Sequence, residues 1–122
     1  ALWGKLNCPR MLTHVTDGLR MAMGSLKVTT KNSPLRFAPI RYLIIYVFPF
    51  PKGAPAAPEL IARVPGEWER EIAEFKQSFA QLTANSQQTE GKEHPAFGKL
   101  SVKDWGVLGY KHLDHHFKQF GV

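Results

Sequence analysis

Lys111-His112-Leu113-Asp114-His115-His116 places three of the chain's five histidines within five positions. In a helix, His112 and His116 stand four residues apart and project from one face about one turn from each other. That spacing lets two imidazoles reach a single metal ion, as in the i,i+4 pairs of helical zinc sites. A continuous amphipathic pattern from Ser101 to Phe120 flanks the histidines, so they belong to a folded helix and not to a purification tag. Ser101 with Asp104 three residues on resembles a capping box, with Asp in place of the usual Glu, and Gly121 marks the end. On a wheel at about 100° per residue, Trp105, Gly109, His112, His116 and Phe120 share about 60° of arc. His115 falls at the edge of this face, while Lys111 and Asp114 point away. Two imidazoles on a core face are costly unless each finds a partner, and a shared metal satisfies both at once. The pair still needs a third ligand from elsewhere.

Asn7 is a good N-cap, with Pro9 inside the following turn. From Cys8 to Met23, Met11, Leu12, Val15, Leu19, Ala22 and Met23 keep the helical period, and Gly24 is a natural stop. His14 falls beside this apolar stripe, and Gly18, one turn later, leaves space above it. That makes His14 the first candidate for the missing ligand. On this helix alone the blander reading is preferred, a boundary histidine bonded to a backbone carbonyl. Cys8 could be a thiolate steadied by the helix dipole, but a small apolar filler is the better reading. Asp17 and Asp114 read as surface charges.

A chain of 122 residues is expected to form one domain, residues 1–122, with a single core. Apolar residues at 43% and charged residues at 21% are those of an ordinary globular protein. Sixteen Lys and Arg against ten Asp and Glu give a net charge of +6 and a pI near 9.7. The cations are scattered, with no run and no stripe interleaved with aromatics, which argues for a solvated surface and against a nucleic-acid partner. A lone cysteine rules out an internal disulfide. The longest apolar stretch, Ile40 to Phe50, is interrupted by Arg41 and Pro49 and falls short of the about 20 residues a bilayer requires.

Ser25 to Arg36 reads as a connection. Pro39 to Phe48 fits a strand or a short buried helix, and periodicity does not separate them. Phe48 through Pro58 carries Pro49, Pro51, Gly53, Pro55 and Pro58, an extended loop of the kind that lines or covers a site. Glu67 to Thr83 is a helix with a Trp68, Ile72, Phe75, Phe79 and Leu82 stripe, and Glu, Lys, Arg and Gln opposite; its role is structural. Ala84 to Glu93 reads as exposed. His94-Pro95-Ala96-Phe97-Gly98-Lys99-Leu100 is a compact turn in which the proline holds His94 extended.

Taken together, Trp3-Gly4-Lys5-Leu6, Met11-Leu12-Thr13-His14, Phe50-Pro51-Lys52, Ala57-Pro58-Glu59, His94 to Leu100, Trp105-Gly106 and Lys111 to Val122 resemble the DinB/YfiT-like superfamily of metal-dependent proteins. The likeness covers essentially the whole chain and is nearest to a bacterial branch of unassigned function. It implies an all-α fold, a DinB-like four-helix bundle with a long Pro-rich loop in the middle. It also implies a site with one ligand from an early helix and two from an H-x-x-x-H pair in the last. Carried onto this sequence, the metal ligands are His14, His112 and His116, which reverses the preference at His14; His115 occupies a neighbouring non-ligand position. Relatives of this kind carry a further helix before the Trp-Gly motif, on the order of 20 to 30 residues. The chain is therefore expected to be N-terminally incomplete, lacking most or all of its first helix.

Three histidines with open coordination positions are the pattern of a catalytic metal site, which can activate a water or thiol or polarise a carbonyl. The cofactor expected is a divalent ion, Zn, Ni, Fe or Mn. The resemblance implies a metal-dependent thiol transferase or a hydrolase, acting in the cytoplasm on a small-molecule or thiol substrate. A homodimer is the expected assembly, with no nucleic acid and no membrane as partner. No Glu follows His112, which disfavours an H-E-x-x-H protease. The competing reading is a non-catalytic binding or assembly module with a structural metal, closed by a fourth ligand among His115, His94 and Cys8.

Overall fold

Asn7 opens the first long helix by accepting the Arg10 backbone N–H at 2.9 Å, and Pro9 sits in the first turn where no donor is lost. This helix, α1 (Cys8–Met23), ends at Gly24 in the left-handed region, whose N–H returns to the Met21 carbonyl at 3.0 Å. The fold is described from a computed structural model over residues 1–52 and 56–122. Gly53 and Pro55 of the Pro-rich loop lie outside the described residues.

The stretch that periodicity left open is helical. Helix α2 (Ala38–Tyr42) runs into a π-helical turn over Leu43–Val47. Its last carbonyls are held by a distant cation: Lys111 Nζ donates to Ile44 at 3.1 Å and Ile45 at 3.0 Å, and also to Phe48. Lys111 therefore does not point away from the fold as the helical wheel predicts. An ammonium at the C-terminal carbonyls satisfies acceptors that would otherwise be orphaned, and it opposes the negative end of the helix dipole. Asp114 does face out, paired with Lys118 at 3.0 Å.

Helix α3 (Trp68–Ala84) and helix α4 (Val102–Gln119) complete the all-α bundle. A small hairpin, β1 (Glu93–His94) with β2 (Gly98–Lys99), precedes α4 and pairs His94 with Gly98. The extended His94 before Pro95 is thus a strand residue, as the proline requires. The capping box at α4 is complete, with Ser101 accepting from the Asp104 amide at 3.1 Å and Asp104 from the Ser101 amide at 3.2 Å.

The core forms two clusters. Ala22, Ile45, Phe97, Leu100, Trp105 and Leu108 pack at the hairpin end. Met11, Leu12 and Val15 pack with Leu6, Ile72, Phe75, Leu113, Phe117 and Phe120. On α3 the predicted apolar stripe is only partly inward, since Trp68 and Phe79 are each 44% exposed. The buried residues of that helix are instead Glu71 and Ser78.

The reason is an ion network. Arg63 Nε reaches both carboxylate oxygens of Asp17 at 3.2 Å, and its Nη1 donates to Glu71 at 2.8 and 3.0 Å. Arg20 adds bonds to Asp17 and Glu74, each at 3.1 Å. Asp17 is thus a buried charge and not a surface one, and Glu71 is turned inward although Arg70 beside it is exposed. Burial alone would raise the Glu71 pKa, but Arg63 and the Gly66 amide outweigh it and hold the carboxyl below its usual range. Replacing Arg63 by Met leaves two buried carboxylates without their partner and is expected to cost about 3–5 kcal/mol in urea unfolding. The exposed Asp114→Ala change should leave the urea midpoint where it is.

His94 lies against Phe97 and Trp105, with ring centroids at 4.8 and 5.5 Å. Its Nδ1 accepts the amides of Ala96 at 3.0 Å and Phe97 at 3.3 Å. Burial pushes its pKa from 6.5 down to about 4. The fold favours the neutral ring, so this contribution is complete above pH 6.5 and is lost as the pH falls toward 4. Urea midpoints measured across that window should fall less steeply for His94→Asn than for the natural chain.

Candidate metal centre

Helices α1 and α4 cross so that His14 meets both His112 and His116. The two helices come close at Gly18, where a methyl group would meet the His112 ring in ordinary contact at 3.6 and 3.7 Å. The space that the sequence reading left above Gly18 is filled by His112. His14 and His116 are buried and His112 is partly so. Their ring centroids stand 4.7 to 4.8 Å apart, each pair nearly perpendicular. The Nε2 atom of His112 lies 3.0 Å from His14 Nε2 and 3.1 Å from His116 Nε2. One ligand atom from each residue falls within 4.8 Å of the others. The three residues picked from the sequence are therefore brought together.

The far nitrogens settle where the protons are. His14 Nδ1 lies 3.0 Å from the Leu60 carbonyl, which can only accept, so Nδ1 carries the hydrogen. Gln119 Nε2 donates to the Trp3 carbonyl at 2.8 Å, which turns Gln119 Oε1 toward His116 Nδ1 at 2.8 Å. His116 Nδ1 is therefore a donor as well. Both neutral rings then present an Nε2 lone pair to His112. A single His112 Nε2–H can make a well-aligned bond to only one of them. The other Nε2 lone pair is left without a donor inside the protein, which is costly.

Burial lowers the pKa of all three rings. Burial takes His116 down to about 4 despite its bond to Gln119, and His112 lies well below the usual value, with its two neighbours adding to the effect of burial. At His14 burial outweighs the Leu60 bond. The rings are neutral at physiological pH, the form a metal requires.

A cation among the three Nε2 atoms would take every lone pair. Ligand nitrogens about 2.0–2.1 Å from zinc stand about 2.9–3.4 Å apart at angles of about 90–110°, which the two separations from His112, 3.0 and 3.1 Å, match, while all three ligand atoms lie within 4.8 Å of one another. The backbone and amide oxygens behind two of the ligands are the outer support that metal-binding histidines need.

Phe50, from the Pro-rich loop, lies over His112 at 5.7 Å and His115 at 4.6 Å between centroids. His115 also meets the edge of Trp3 at 5.7 Å, and Lys52 Nζ stands 4.2 Å over the Trp3 ring. His115 borders the site without facing it, as the helical wheel predicts. The other candidates for a fourth ligand are elsewhere: His94 is tied into the hairpin, and Cys8 is exposed at the start of α1, not filling the interior. Leu60 and Gln119 were not found from the sequence. A carbonyl leaves no sequence signal, but Gln119 stands three residues after His116, within helical reach.

The frustration of the metal-free cluster is measurable. In chelator-treated protein, His112→Leu is expected to lose about 1–3 kcal/mol of stability in urea, because it removes the one donor and leaves the Nε2 lone pairs of His14 and His116 both unpaired. The same change should abolish metal uptake. A chelated variant as stable as the natural chain would count against the proton assignment.

No curated protein and no solved structure matches the chain. Among protein families, residues 7–121 match the one described as "Protein of unknown function (DUF1569)". That span includes all three histidines, the Pro-rich loop and Gln119, and by it the chain belongs to the DUF1569 family.

Proposed function

We propose that this chain is a metal-dependent enzyme whose ion is held by His14, His112 and His116, and that it acts as a transferase or hydrolase on a small-molecule or thiol substrate. The observation that carries the reading is the convergence of three Nε2 lone pairs, two of them committed by outward Nδ1–H bonds. A divalent ion there would supply Lewis acidity, lowering the pKa of a thiol or water or polarising a carbonyl.

The chain's own residues do the rest. Leu60 and Gln119 fix the ligand tautomers, while Phe50 shields His112 on one side. Among the described residues, the group able to hold an ion contains three such side chains, which favours a centre with room for substrate over a closed structural one. Neither apolar cluster includes any of the three rings, which supports a bundle that folds before it takes up an ion. The resemblance to the DinB/YfiT-like superfamily, in its bacterial branch, supports the same placement.

Untagged protein is expected to purify with stoichiometric zinc or another divalent ion, measured by elemental mass spectrometry. His112→Ala should lose that metal while keeping the helical circular dichroism of the natural chain. Wild-type protein that carries and takes up no metal would sink this reading. Collapse of the fold together with metal loss would favour a structural ion instead. Saturating zinc should raise the thermal midpoint of the natural chain in a concentration-dependent way, and that of His112→Ala should not respond.

A further inference from the structure

Gln119 does more than accept a hydrogen bond. Its side chain is buried, and its two ends are committed to different parts of the molecule. Oε1 accepts from the ring of His116, and Nε2 donates to the backbone carbonyl of Trp3, each at 2.8 Å. The Gln119 backbone carbonyl accepts the Leu2 amide at 2.6 Å. The segment Leu2–Leu6, ahead of α1, is thereby pinned to the last turn of α4.

Gly4 makes this docking possible. Its φ of +79° is a conformation that L side chains rarely adopt, and a Cβ there would lie 2.5 Å from Gln119 Nε2. The segment passes directly over the amide, with no room for a methyl group. Downstream of Gly4, Leu6 joins the apolar cluster of Met11, Leu12 and Val15. Upstream, the Trp3 ring meets His115 and carries Lys52 on its face.

The geometry points to Gln119 as a positioning residue of the three-histidine centre, and through it to a coupling between metal occupancy and docking of the Leu2–Leu6 segment. The inference rests on the metal reading above. With Trp3 docked, its carbonyl holds the Gln119 amide in one orientation. That orientation sets Oε1 to accept from His116 Nδ1–H, so His116 Nε2 keeps its lone pair toward the centre. With Trp3 released, the amide can rotate and present Nε2 to His116, which reverses the ring's preferred tautomer and withdraws the lone pair. Docked segment and loaded centre therefore favour each other, and by linkage each strengthens the other by the same factor.

The test uses three variants of the full chain, zinc titrations against a competing chelator, and exchange of the Trp3 indole N–H followed by NMR. That N–H is buried, with no acceptor among the described residues, so its exchange reports docking. In the natural chain, zinc should slow this exchange. Gly4→Ala touches no ligand, yet it is expected to weaken zinc binding about ten-fold and to quicken the exchange. Gln119→Ala should weaken binding about ten- to hundred-fold. Gln119→Glu separates the two roles, since it keeps an oxygen for His116 but sets a carboxylate against the Trp3 carbonyl. Zinc affinity should hold or rise in that variant while the indole proton exchanges freely.

Stoichiometric zinc in the natural chain, with unchanged affinity in Gly4→Ala or with indole exchange indifferent to zinc, overturns the coupling and leaves the centre intact. Failure of the natural chain to take up zinc removes the centre, and the coupling with it.

Discussion

A neutral imidazole has one donor and one acceptor, and that constraint governs the centre of this bundle. Once the Leu60 carbonyl and the Gln119 amide claim the Nδ1–H groups of His14 and His116, both acceptors must face inward. His112 then stands between two lone pairs and can satisfy one. Protonating a ring would relieve the mismatch, but burial works against a charged form at all three positions. The polar atoms around the cluster thus commit it to an arrangement that a cation completes. This argument depends on which atoms lie behind the rings as much as on the rings themselves.

Stability is assigned to other parts of the molecule. The apolar clusters lie at the hairpin end and along the α1–α3–α4 seam, while the Asp17, Arg63 and Glu71 network joins α1 to the segment before α3. Buried ion pairs of this kind hold a fold to one arrangement more than they lower its free energy. Arg63 and Leu60 belong to one short segment, so the network that places Arg63 also helps fix the carbonyl behind His14. On α4, Lys111 secures the end of α2 from the position next to His112.

Much of this could be read from the sequence, and the omissions have physical causes. Helices α1, α3 and α4 were marked by Asn7, Gly24, Ser101 with Asp104 and by clean 3.6-residue periods, and the structure places them accordingly. The stretch Pro39 to Phe48 carried β-branched and aromatic residues that suit either state, and its helical outcome is supported by Lys111, a partner 66 residues away. A wheel assigns a charged residue to the solvent side by default, so it misplaced Asp17, Glu71 and Lys111, whose partners come from other elements. At His14 the two competing readings are compatible, because one nitrogen bonds a backbone carbonyl while the other is left to face the cluster. Sequence reasoning treated the residue as having one environment, and an imidazole has two.

Gly18 also bears on how far such a chain can drift. Gly106 and Gly109 on α4 have nothing within 4 Å of a built Cβ, so those positions are free to vary as far as packing is concerned. Gly18 has the His112 ring at ordinary contact distance, enough for a methyl group and no more. Any larger residue would wedge α1 from α4 and part His14 from its two neighbours while every histidine remained in the sequence. A descendant could therefore keep the H-x-x-x-H signature intact and still lose the three-histidine cluster, and position 18 is where that silent loss would be written.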